Sequence, residues 1–123
     1  MSYYTSFETS LALREAGAPQ EIPAGGGYWR DFGDARHHYV TSVDREAVAD
    51  VLRSMRLDEI LEALPSDDCP ALRVYWDSGT GCVEVLNEDR PVASGTNGYG
   101  NSLVEAAAAC WLAVLRAARE VAR

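Results

Sequence analysis

The chain has 123 residues, 47% of them hydrophobic and 24% charged, a balance that fits one globular domain and excludes a disordered tail. Its formal charge is −8 and every basic residue is an arginine, so it lacks the basic stripe that general nucleic-acid binding requires. The longest apolar run, residues 106–115, is too short to cross a bilayer, and the start of the chain lacks the basic-then-apolar pattern of a signal peptide.

The three cysteines, Cys69, Cys82 and Cys110, are odd in number and widely spaced, which offers neither a disulfide framework nor a metal knuckle. The expectation is a cytoplasmic protein of one domain, residues 1–123, with no membrane contact, no metal and no other cofactor.

The first predicted helix spans residues 7–16. Ser6 is its N-cap, Gly17 ends it and Pro19 prevents its continuation. After a turn-rich stretch, residues 28–32 and 36–41 predict two strands joined by Gly33, Asp34 and Ala35. Asp44 then suits the cap of a second helix, because Val48, Val51, Leu52 and Met55 follow helical spacing.

A break near Leu57 starts a third, short helix with Asp58 and Glu59 in its first turn and Pro65 as its stop. Residues 72–76 and 82–86 predict a second pair of strands, with Leu72, Val74 and Trp76 on one face. Residues 92–94 add a short edge strand after a turn through Pro91.

A glycine-rich run, Ser94 to Asn101, leads into a helix that starts at Ser102. Ser102 and Glu105 make a capping-box pattern. That helix is apolar around most of its circumference, which predicts burial between layers or at a homodimer interface. The whole reads as an α+β domain in the order α-β-β-α-α-β-β-(β)-α, with an antiparallel sheet of hairpins packed against helices and a long apolar C-terminal helix.

Residues 10–20 with Tyr28 and Trp29, the segment 57–65, the strands around Trp76, and the run Ala108-Ala109-Cys110-Trp111-Leu112 together resemble small uncharacterised proteins of tailed phages and prophages. That resemblance implies a phage or prophage origin and carries no assigned activity; the expected setting is the cytoplasm of an infected bacterial host. The C-terminal half is also similar in layout to double-stranded-RNA-binding domains. Where those place phosphate-gripping lysines, this chain has Leu103, Val104 and Glu105, so direct nucleic-acid contact is not implied.

No nucleophile elbow, P-loop or HExxH pattern is present, so no catalytic residue is assigned. The adjacent His37 and His38 point to opposite faces of a strand and cannot share one ion. Two candidate sites follow from the sequence. Gly95, Thr96, Asn97, Gly98, Tyr99, Gly100, Asn101 and Ser102 offer backbone N–H groups before a helix, suited to a small phosphorylated ligand. Tyr3, Tyr4, Asp67, Asp68 and Tyr99 offer an acidic, tyrosine-bearing surface suited to a host protein.

The tryptophans Trp29, Trp76 and Trp111 are assigned to the core. The functional expectation is a non-enzymatic phage accessory protein that binds and inhibits a host factor, a nucleic-acid-dependent defence complex being one such target. The alternatives are sequestration of a nucleotide signal by the glycine-rich run and a structural or assembly role in the virion.

Overall fold

The structure is a computed structural model that describes residues 3–66, 69–77, 79–97 and 103–121. Its elements run α1 (Phe7–Glu15), β1 (Gly27–Asp31), β2 (Arg36–Val40), β3 (Leu52–Ser54), α2 (Leu57–Ala63), β4 (Ala71–Asp77), β5 (Thr80–Asn87), β6 (Arg90–Asn97) and α3 (Leu103–Val121). The fold is α+β, with two antiparallel three-stranded sheets ordered β2-β1-β3 and β4-β5-β6.

Local sequence accounts for most of these boundaries. Ser6 caps α1 by accepting a hydrogen bond from the Thr9 N–H, and Gly17 takes the left-handed angle (φ 103°) that lets the chain leave the helix. α2 starts where Glu59 Oε1 accepts from the Arg56 N–H at 3.0 Å. Beside it Arg53 and Glu59 form a largely buried ion pair at 2.6 Å.

One predicted element is replaced by another. The segment after Asp44 is not helical. It runs as a loop and then as β3, whose Leu52 and Ser54 pair with Trp29 and Gly27 of β1. Asp44 accepts a hydrogen bond from the Ala24 N–H instead of capping a helix. The cause is tertiary, since β1 has a free inner edge that three residues of this segment fill, and a short apolar run fits either period.

The main core lies between α3 and one face of the second sheet. Val83, Val85, Val104, Ala106, Ala107, Cys110 and Trp111 are buried there, joined by Leu13, Met55, Ile60 and Leu64 from the other elements. Segment 4–6 ties the first sheet to α3. Thr5 exchanges hydrogen bonds with Met55, its carbonyl accepts from Trp29 Nε1, and the Ser6 N–H donates to Glu105 of α3.

Among the described residues no helix is long and apolar enough to cross a membrane.

Candidate functional site

Gly95, Thr96 and Asn97 do not form a loop. They belong to β6, opposite Val83, Cys82 and Gly81 of β5, so their backbone groups serve the sheet. Gly95 is glycine for a packing reason, because a Cβ there would overlap the carbonyl of Ala106 and the amide of Cys110 in α3. The sequence signal read as a ligand cradle is, at this position, close approach of strand and helix. Gly98, Tyr99, Gly100, Asn101 and Ser102 lie outside the described residues, as do Asp67 and Asp68.

Of the expected protein-contact residues, Tyr3 is exposed and Tyr4 is turned inward. The Tyr4 ring stands 4.6 Å from that of His38, and its hydroxyl donates to the Gly25 carbonyl at 3.3 Å. Tyr3 and Tyr4 therefore do not present a matched pair of side chains.

His37 and His38 lie on opposite faces, as strand geometry requires. His38 Nε2 stands 2.7 Å from Ser54 Oγ, across the space left by Gly27, and burial holds the imidazole below its ordinary pKa. Ser54 is fully enclosed, so the pair is a polar joint inside the sheet that no substrate reaches. Among the described residues no group of three or more His, Cys, Asp or Glu side chains is placed to hold a metal ion.

The face of the second sheet turned away from α3 carries a small polar cluster. Arg73 donates to Glu84 Oε1 through Nε (3.1 Å) and a terminal nitrogen (2.8 Å). These bonds, with a further one from Tyr75, hold the Glu84 carboxyl below the usual carboxylate range, while the bond to Glu84 and local burial push the Tyr75 hydroxyl up to about 12. All three side chains satisfy one another, which leaves no reactive group.

An apolar cleft of about 430 Å³ opens between β6, α3 and the end of α2, lined by Leu64, Cys69, Val85, Ala93, Val114 and Ala117 among others. Among the described residues no charged side chain lines it. Cys69 is half-buried at this cleft, and burial pushes the Cys110 thiol in the core up to about 11, which makes Cys110 a packing residue.

β4 presents exposed apolar side chains beside an edge. No strand of the described residues pairs with its outer edge, and it is seven residues long. Trp76, expected in the core, is 58% exposed, and Val74 beside it is 42% exposed. The Trp76 ring lies across Gly81 near Leu103, at the margin of the helix-covered face. Trp111 is buried as expected, and Trp29 is half-buried.

The sequence pattern placed Leu72, Val74 and Trp76 on one face. It could not show that α3 lies over β5 and β6 and leaves β4 largely uncovered.

Comparison with family models, characterised proteins and solved structures finds no match to this chain.

Proposed function

We propose that the chain is a non-enzymatic binding protein that takes up an extended segment of a partner protein along β4 and, in keeping with its resemblance to small phage proteins, inhibits a host factor by occupying it. The observation that carries this reading is the outer edge of β4, with which no strand of the described residues pairs, flanked by the exposed side chains of Val74 and Trp76. An unpaired strand edge is a template for strand addition, and apolar side chains beside it supply specificity.

Long exposed edges are normally blunted with lysine, proline or bulges. β4 contains none of the first two, and the sheet's bulge lies at Val85 and Leu86 on the other side of β5. The formal charge of −8 favours a basic partner, such as a host protein that itself handles nucleic acid.

Capture of a small phosphorylated ligand by the glycine-rich run loses support, because Gly95, Thr96 and Asn97 are engaged in β6. No feature of the described residues favours a virion role.

The test is affinity capture from host lysate at low and moderate salt with the wild-type chain and with Val74→Lys, each checked for folding by circular dichroism. The expected result is a partner retained by the wild type and lost by the variant. Recovery of no partner, or equal retention by both chains, overturns the reading.

A further inference from the structure

The outer face of the first sheet carries a different kind of surface, one that does not depend on β4. Strand alternation places Tyr28 and Arg30 of β1, His37 and Tyr39 of β2 and Arg53 of β3 on this face, with Phe32 just beyond β1. The aromatic rings form one continuous ladder. Phe32 meets His37 edge-on at 5.2 Å, His37 lies near-parallel to Tyr39 at 6.5 Å, and Tyr39 stacks on Tyr28 at 5.3 Å with 19° between planes.

Arg45 closes one end of the ladder. Its guanidinium lies over the Tyr28 ring at 4.9 Å and donates to the Tyr28 hydroxyl. The other end is open: Phe32 is 54% and Tyr39 38% exposed, and His37 is exposed as well.

Arg30 stands directly across from His37, inside this aromatic array. It makes no hydrogen bond or ion pair among the described residues, and its Nε is shut away from water with no partner. The other two arginines are engaged, Arg45 with Tyr28 and Arg53 with Glu59 and the Pro19 carbonyl. None of the strand positions on this face is a carboxylate. The acidic Asp31 points to the opposite face, where its carboxylate stands 3.9 Å from Arg36.

We propose that this face binds nucleobases that carry a phosphate: a base stacks on the open rings of Tyr39, His37 and Phe32 while the phosphate takes the Arg30 guanidinium, which has no partner among the described residues. Flat sheet surfaces with exposed aromatics recognise unpaired bases by stacking, which tolerates any base because each has a π-face. Arginine adds a charge-assisted fork that fits phosphate oxygens.

The whole-chain charge of −8 argues against a long phosphate-tracking stripe, and the geometry agrees, since one guanidinium without a partner among the described residues holds one or two phosphates. The ligand is therefore bound mainly through its rings, and its attachment depends only weakly on salt.

The same chemistry is offered by single-stranded nucleic acid and by free nucleotides. Fluorescence anisotropy with labelled dT15 and rU15, with unlabelled UMP as competitor and a matched duplex as control, separates the two. Binding of the oligonucleotides that UMP displaces at comparable base concentration identifies the free nucleotide as sufficient, and displacement only by single strands identifies the polymer.

Tyr39→Ala is expected to weaken binding about 5- to 150-fold, the equivalent of one lost base–aromatic stack, and Tyr39→Phe to restore it. Arg30→Gln is expected to flatten the salt slope by about 0.7 for each phosphate released. Thermal melts confirm that each variant is folded. Failure to bind any oligonucleotide or UMP at low salt, equal binding of the duplex, equal displacement by an oligoglutamate peptide, or wild-type affinity in folded Tyr39→Ala overturns the proposal.

Discussion

Gly95 of β6 lies against the backbone of Cys110 in α3, so close that a methyl group on Gly95 would penetrate the Cys110 amide. Because the opposing atoms are backbone rather than a movable side chain, strand and helix would have to separate. Gly95→Ala is therefore expected to destabilise the fold by about 1–3 kcal/mol, at the upper end of that range for overpacking, with a lower urea midpoint and an unchanged slope. Wild-type stability in this variant would show that the two elements are not in such contact.

The hairpin between β5 and β6 turns on Glu88 and Asp89, which lie between the paired Asn87 and Arg90 and have φ angles of 50° and 64°. Two consecutive positive φ values are the signature of a type I′ turn, where asparagine and glycine are favoured. A side chain in this region costs about 1–2 kcal/mol, part of which glycine gives back through its freer unfolded chain. Asp89→Gly is expected to raise stability by about 0.5–1 kcal/mol in thermal or urea melts. A loss of stability would mean that Asp89 makes a compensating contact.

Tyr75 and Glu84 titrate as partners. The phenol donates to the carboxylate, so the neutral phenol is favoured and its pKa rises to about 12. Since this folded value exceeds the ordinary value of 10, the contribution to stability is whole below pH 10 and disappears as pH climbs through 12. Glu84 runs the other way. Held down by Arg73 first and Tyr75 second, it contributes above its ordinary value of 4.5 and loses that contribution as pH falls through its lowered value. Ultraviolet titration at the tyrosinate band should show a tyrosine ionising near pH 12 in the wild type, and Glu84→Gln should move it toward 10. No change on that substitution would refute the link.

The residues also show why some of the fold was legible and some was not. Ser6 and Gly17 bracket α1, and Pro65 stops the chain after α2, through local chemistry that needs no tertiary knowledge. Gly95 failed as a guide because glycine signals only that a side chain is forbidden, whether by a turn, a ligand or a neighbouring helix.

Trp76 failed for a related reason. Its strand and facing were readable, but its exposure depends on which strands α3 covers, a fact written in the packing of Ala106, Ala107 and Cys110. The aromatic ladder required the register of β1 against β2, which brings Tyr28 opposite Tyr39 and Arg30 opposite His37. Alternation alone predicts a shared face, and only the pairing shows continuous contact.

The pair Val48 and Met55 tests the one helix that became a strand. Helical spacing put both in the core, whereas the structure leaves Val48 49% exposed in a loop and encloses Met55 completely. Met55 also holds the N-terminal segment, accepting from the Thr5 N–H at 2.9 Å and donating to Thr5 Oγ1 at 3.0 Å. These bonds use the backbone, so truncating the side chain removes packing and leaves them in place. Met55→Ala should cost about 2–5 kcal/mol, as expected for a fully buried side chain that leaves a cavity. Val48→Ala should change stability by less than about 0.5 kcal/mol, as for a surface position. Equal, large losses from both substitutions in urea denaturation would restore the helix, because only a core-facing helical stripe gives Val48 a buried role.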